Sequence, residues 1–436
     1  MIAKRPARGS PALDAFALGT RTPARIVEPV DAEEVAAALR AAAEAGEAVV
    51  AWGGGTLQAA ANAPARYDVA LVTTKLGAVH DYDRHDLTAG VGAGMTLETL
   101  QRTLGEHAQF IPFDAPLPSK ATVGGTLAAG WAGPRRAGYG RPRDLVIGSV
   151  VALADGTLAK SGGMVVKNVT GYDMSKLYVG SHGTLGVLVR ANFKVLPEPP
   201  VRRLAESPFE EAVRERLIAH VRTLQLPPVA MLLNDGFPPL DARRHAHDDD
   251  RPRAIALFEG SEATVERAMR EYRSALGAAG VAQTHIFDGT AAAKAFGALV
   301  DQYVATRGEL SFTLLGRGLP SDAPLRAQRA RGCTGSLPVD DAASDGIDVI
   351  TDLLTGDVAA RFHTSVTGHP ERCLQAAEAL RGALRGRANL LAATRSVGDR
   401  VDAWGDIPAT VATMRTIKAA FDPHGTLAPG RYLGGI

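Results

Sequence analysis

Residues 167–186 read KNVTGYDMSKLYVGSHGTLG, a mixture of glycines, small hydroxyl residues and paired charges that does not fit an ordinary core element. Two other glycine-rich runs precede it, Gly53–Thr56 (GGGT) and Thr122–Gly133 (TVGGTLAAGWAG). Glycine has no Cβ, so such backbone can approach a ligand closely and adopt dihedrals closed to other residues. The excess is chain-wide: 47 of 436 residues are glycine, about 11% against roughly 7% in average usage. Three such runs within one apolar region point to a long, bent, phosphate-bearing ligand threaded between loops. A flavin dinucleotide is the leading candidate.

The bulk properties narrow the alternatives. A chain of 436 residues is long enough for two or more cores. Acidic and basic residues nearly cancel, 47 against 48, so bulk charge gives no reason to expect nucleic acid or an anionic membrane as partner. Cys333 and Cys373 are the two cysteines, too few for a four-cysteine iron–sulfur or zinc site, and are expected to be reduced. The start, MIAKRPARGSPALD, is basic but lacks the apolar stretch of a secretion signal. No apolar run reaches the ~18 residues that would span a bilayer. The expectation is a cytoplasmic chain, with peripheral attachment left open.

The first part of the chain reads as α/β. A strand is expected at Arg25–Glu28, then a helix over Ala32–Ala45 with Asp31 as N-cap and Glu34 as its reciprocal partner. Ala48–Trp52 returns as a strand that delivers the chain to Gly53. Further strands are expected at Val69–Thr73, Leu87–Gly92 and Leu145–Leu153, and Thr96 caps a short helix to Leu104. In Gly186–Val195, alternation of Val187, Val189, Ala191, Phe193 and Val195 predicts a strand with one richer apolar face. Pro197, Pro199 and Pro200 then mark the main boundary, giving domains over residues 23–200 and 201–436.

The second part predicts helices over Pro208–Val221, Glu262–Leu276, Glu371–Leu384 and Pro408–Ala420, with strands at Val229–Leu233 and Ala254–Phe258. Arg243–Arg253 reads as a solvated excursion rather than a metal site built from His245, His247 and Asp248–Asp250. Gly316–Gly346 reads as loop. The class is α+β: a two-part nucleotide-binding domain followed by a mixed α/β domain, with a return of the terminal segment to the first domain left open.

Neither Gly53–Gln58 (GGGTLQ) nor Gly92–Leu97 (GAGMTL) meets the G-x-G-x-x-G spacing of the simple βαβ dinucleotide fold. Consecutive amides in Gly53–Thr56 form a potential anion nest, and Thr56 adds a hydroxyl. Thr122, after Pro118 and Ser119, is positioned as an N-cap whose following N–H groups favour negative charge. Lys167 and Asp173 suit either a ligand or a mutual ion pair, and Tyr172 either a ligand or the core. Gly180, Gly183 and Gly186, interleaved with Ser181 and Thr184, keep backbone close to a ligand just before the strand.

In order and wording these motifs resemble the vanillyl-alcohol oxidase and p-cresol methylhydroxylase flavoprotein superfamily, and more narrowly the FAD-binding subunits of bacterial glycolate oxidases. The resemblance rests on GGGT at Gly53, TVGGTLAAGWAGPRR at Thr122–Arg136, RDLVIG at Arg143–Gly148, KNVTGYD at Lys167–Asp173 and GSHGTLGVL at Gly180–Leu188. FDPHGTLAPGR at Phe421–Arg431 resembles the usual chain ending, with Ala428 where asparagine is commoner. Residues 241–346 match no motif. The resemblance implies a p-cresol methylhydroxylase-type FAD domain. Gly53, Gly54, Gly55, Thr56, Thr122, Val123, Gly124 and Gly125 would line the pyrophosphate, Gly183, Thr184, Gly186 and Val187 would contact the flavin or neighbouring parts of the cofactor, and Pro118 and Ser119 would also bind the cofactor. The Trp52–Leu57 loop has no histidine or tyrosine for covalent attachment, so noncovalent FAD is expected.

By the same resemblance the reaction is oxidation of glycolate, or a similar small 2-hydroxy acid such as D-lactate, to its 2-oxo acid. No catalytic residue stands out: His363 lies in a short strand-like patch and reads more readily as structural. The H-x-G-D-G-N-x-H pattern of related dehydrogenases is absent. Three readings remain open. One is an FAD-binding subunit working with a second flavoprotein and an iron–sulfur subunit, attached to the inner face of the membrane through them. The others are a self-sufficient dehydrogenase and a non-catalytic, flavin-holding assembly subunit.

Overall fold

The computed structural model describes residues 11–165, 171–240, 251–306, 310–317, 345–364, 370–384, 388–398 and 400–436. Lys167, the His245–Asp250 segment, most of the Gly316–Gly346 loop and Cys333 lie outside these residues; Cys373 is buried. The chain divides into two compact units. The first comprises Met1–Ala132, Arg141–Glu198 and Gly398–Ile436, the second Gly133–Gly140 and Pro199–Val397.

Unit 1 opens with β1 (Arg25–Val27), α1 (Ala32–Glu44), β2 (Val49–Trp52) and β3 (Val69–Val72), the strands forming a parallel sheet of order β1-β3-β2. The Asp31 carboxylate accepts from the Glu34 amide at 2.8 Å, as an N-cap should. The Glu34 carboxylate accepts from the Val30 amide at 3.0 Å, one residue upstream of the reciprocal partner expected. Val35, Leu39 and Ala42 fall on the buried stripe of α1 and pack against Val49, Val69 and Leu71.

A five-stranded antiparallel sheet follows, built from β4 (Val79–Asp83), β5 (Thr88–Gly92), β6 (Val146–Ala152), β7 (Leu158–Gly162) and β8 (Val187–Lys194) in the order β4-β5-β8-β6-β7. The sequence pattern missed β4 and β7 because both are edge strands with little apolar alternation. Central β8 is apolar on both sides. Val187 and Val189 join the cluster under α1, while Leu188, Ala191 and Phe193 join a second cluster beneath α2 (Leu97–Gly105) and α3 (Val123–Ala129). Thr96 caps α2 by accepting from the Thr99 amide at 3.2 Å.

The end of the chain packs back onto β2. Val49 N–H donates to Thr426 O at 2.7 Å and Ala428 N–H to Val49 O at 2.8 Å, a short parallel bridge. Ala428 is in the left-handed region, φ 45°, a conformation that asparagine tolerates better than alanine. Here the bridge to β2 orders the loop without it.

Unit 2 holds an eight-stranded antiparallel sheet made of β9 (Val201–Pro208), β10 (Ala230–Asp235), β11 (Arg253–Gly260), β12 (His285–Asp288), β13 (Leu310–Arg317), β14 (Asp345–Asp352), β15 (Asp357–Thr364) and β16 (Ala388–Ala393). Its order is β12-β9-β11-β10-β14-β15-β13-β16. The helix expected from Pro208 starts instead at Arg214. Pro208 is the last residue of β9, paired with Arg253 of β11, and a 3-10 turn at Glu211–Val213 leads into the helix. The Glu262–Ala279 helix is capped by Ser261 and closed by left-handed Gly280, three residues beyond the expected end. With the Arg214–Val221 helix it covers Ala205, Met231, Leu233, Ala254, Ala256 and Phe258. Among the described residues no helix is long and apolar enough to cross a membrane.

Candidate cofactor-binding site

Unit 1 contains an open cleft walled by three stretches of backbone. Gly53, Gly54, Gly55 and Thr56 form one wall, Thr122, Gly124 and Gly125 another, and Gly183, Gly186 and Val187 a third. The three glycine-rich regions singled out in the sequence therefore converge. Pro118 and Ser119 are exposed, Val123 and Thr184 are buried, and none of these four lines the cleft. Thr184 instead donates its hydroxyl to Ser181 O at 2.7 Å.

The walls differ in what they offer a ligand. At the start of α3, Val123 N–H donates to Met95 O (2.9 Å), Gly124 N–H to Ala93 O (2.7 Å) and Gly125 N–H to the Thr122 hydroxyl (3.2 Å). The N–H groups expected to attract an anion there are already satisfied within the chain. The first wall is the reverse. Among the described residues, the amides of Gly54, Gly55, Thr56 and Leu57 donate to no protein acceptor. Gly55, with φ 74°, turns this run so that consecutive amides share one loop, the arrangement of an anion nest.

Several glycines are needed for packing rather than for a ligand. A Cβ at Gly54 would overlap the Lys120 carbonyl, and one at Gly124 would sit 2.8 Å from the Ala93 methyl. The close approach at these positions is chain to chain. A bulky substitution at Gly124 would therefore disturb the fold before it obstructed a ligand.

Residues that the motif reading did not assign complete the cleft. Trp52 donates its indole N–H to Tyr67 Oη at 2.7 Å, and Tyr67 donates to Phe16 O at 3.0 Å. Gln58, Ala128, Ala129, His182 and Arg431 also line it. His182 has φ 52° and lies edge-on to Trp404, with ring centroids 4.9 Å apart, and beside Tyr432. Burial, reinforced by the positive charge of Arg431, pushes its pKa down to about 3, so the ring is neutral at ordinary pH. The unfolded chain, with an ordinary histidine, takes up a proton below about pH 6.5 that the folded chain refuses. Stability is therefore fully present above that pH and falls as pH drops toward 3, by up to about 2 kcal/mol between pH 7 and 5. His182→Asn, which suits the left-handed backbone, is expected to reduce this loss in urea titrations at the two pH values. An unchanged loss would remove His182 as its source.

The remaining sequence candidates lie elsewhere. Tyr172 is 93% exposed, so it is not a core residue. Asp173 faces Lys176 at 3.8 Å. His363 is on β15 in unit 2, its Nε2 3.5 Å from the Asp348 carboxylate, which Arg361 also holds. Burial raises the Asp348 pKa, but His363 and Arg361 together outweigh it and keep the carboxyl ionised. Among the described residues no three His, Cys, Asp or Glu side chains gather as a metal site.

Residues 23–162 match the family described as "FAD binding domain", and residues 406–432 match "FAD linked oxidases, C-terminal domain". The glycolate oxidase subunit GlcE of Escherichia coli is 38% identical over 150 residues, 34% of this chain and 42% of that protein. A D-lactate dehydrogenase of Archaeoglobus fulgidus is 34% identical over 184 residues, 42% of this chain and 41% of that protein. The chain thus spans about two fifths of the length of these curated relatives. In fold it is similar to p-cresol methylhydroxylase with substrate bound, with a TM-score of 0.70 at 18% identity over 95% of this chain and 89% of that one. The fold is accordingly α+β, with an FAD-binding region of the p-cresol methylhydroxylase type over residues 23–162 and a mixed α/β domain following it.

Proposed function

We propose that this protein is an FAD-dependent oxidoreductase that converts a small 2-hydroxy acid to the corresponding 2-oxo acid. The observation that carries this reading is the match of residues 23–162 to the FAD binding domain, together with sequence identity of 34–38% to a D-lactate dehydrogenase and a glycolate oxidase subunit. Bound FAD would supply the acceptor for the two electrons released at the alcohol carbon. The unsatisfied amides of Gly54–Leu57 would hold its pyrophosphate, and Gly183, Gly186 and Val187 would border the flavin end. Neutral His182, packed against Trp404 and Tyr432, contributes shape rather than a proton at neutral pH.

A second reading is favoured by the GlcE match, the higher of the two identities. In it the chain is one subunit of a glycolate oxidase, noncovalently loaded with FAD, passing electrons to a second flavoprotein and an iron–sulfur subunit. Two cysteines in 436 residues leave any chain of iron–sulfur clusters to such a partner. Attachment to the inner face of a membrane would then come through the partners.

The test is an anaerobic absorption spectrum of the full chain loaded with FAD, with glycolate, D-lactate or D-2-hydroxyglutarate added. Bleaching of the oxidised-flavin band by one of these acids is expected if the chain performs the oxidation alone. A band that bleaches only once partner subunits are added would select the second reading. Flavin that no 2-hydroxy acid reduces in either setting, though dithionite does, would overturn both and leave a flavin-holding assembly role.

A further inference from the structure

Arg431 is 3% exposed, yet among the described residues it faces no carboxylate. Its Nη2 donates to Gln58 O and to Gln58 Oε1, each at 2.8 Å. Its Nη1 is buried and makes no hydrogen bond. Burial lowers its pKa to about 10, which leaves it charged at neutral pH. A buried guanidinium normally finds an anionic partner, because an uncompensated buried charge costs several kcal/mol.

Its position suggests where the partner binds. Arg431 lines the same cleft as Gly53–Leu57, and the Gln58 carbonyl that it grips closes that run of unsatisfied amides. Apart from Arg431, the one titratable side chain on the lining is His182, which is neutral. The cleft thus offers one fixed positive charge beside one set of free N–H donors. The anionic part of FAD is its pyrophosphate.

We propose that Arg431 is the counter-charge for the FAD pyrophosphate, acting with the Gly54–Leu57 amides from the opposite end of the sequence. The inference rests on the cofactor reading and extends it to a residue outside the glycine motifs. It gives the guanidinium, whose hydrogen-bond partners in the chain are neutral, a phosphate as counter-ion, the pairing that guanidinium groups favour. It also makes the terminal segment part of the cofactor site.

The experiment compares wild type, Arg431→Gln and Arg431→Lys as full chains stripped of flavin, titrated with FAD, ADP and riboflavin. ADP carries the pyrophosphate without the flavin, and riboflavin the flavin without phosphate. Arg431→Gln is expected to weaken FAD and ADP binding by similar factors, about 10–100-fold, and to leave riboflavin binding within about twofold. Arg431→Lys keeps the charge and should recover much of the ADP affinity. Equal loss for all three ligands would mean a general disturbance of the loop and would overturn the assignment, as would unchanged ADP affinity. Should Arg431→Gln fail to fold, Arg431→Lys against wild type carries the test: a modest loss confined to FAD and ADP supports the assignment, and a loss shared by riboflavin overturns it. Wild type that binds no FAD would instead remove the cofactor reading itself.

Discussion

Replacing Lys418 with methionine is expected to destabilise unit 1 by about 3–5 kcal/mol, the cost of breaking a buried ion pair from one side. Lys418 lies on the Val411–Phe421 helix and donates to Asp422 Oδ2 at 2.5 Å, Leu427 O at 2.8 Å and Thr184 O at 2.9 Å. The Asp422 side chain is fully buried, and that of Lys418 is 12% exposed. Burial lowers the Lys418 pKa and Asp422 works against that shift, so the pair depends on mutual compensation. Without the ammonium, Asp422 keeps the Thr426 and Leu427 amides as donors but loses its counter-charge.

The loss should reach the cleft, because Lys418 joins the segment containing Thr184 to the one leading into Arg431. Trp52, Trp131 and Trp404 are the chain's three tryptophans and all belong to unit 1, so intrinsic fluorescence in a urea titration reports this unit selectively. Lys418→Met combined with Asp422→Asn should cost less than the sum of the two single changes. A Lys418→Met loss below about 1 kcal/mol would mean that the pair behaves like an exposed one.

What the sequence revealed and what it hid divide by distance along the chain. The caps at Asp31, Thr96 and Thr122 were legible because an N-cap is satisfied within three residues. The glycine runs marked the cleft because their composition is unusual wherever they fold. The use of each glycine was hidden: Gly54 is forced by the Lys120 carbonyl and Gly124 by Ala93, contacts that no local pattern encodes. The expected anion site at the start of α3 failed for the same reason, since Ala93 and Met95 supply its acceptors. In unit 2, β9, β12, β13 and β16 depend on partners distant in sequence, and local propensity is a weak guide there. Arg431 is the extreme case. Its hydrogen-bond partner Gln58 lies 373 positions away, and only its burial without an anion draws attention to it.

The second large effect is expected at Ala129, the last residue of α3, which is half-buried and lines the cleft. An indole there would occupy cofactor space without meeting the chain contacts that constrain Gly54 and Gly124. Ala129→Trp is expected to weaken FAD binding at least 100-fold, about 2.7 kcal/mol or more, while the urea midpoint of the flavin-free chain stays near that of wild type. Fluorescence titration of both proteins with FAD is the most direct test of the proposal that this cleft holds the cofactor. One FAD per wild-type chain, lost in an Ala129→Trp chain that is still folded, is the expected result. Equal affinity and stoichiometry in the two proteins would contradict it and place the flavin elsewhere.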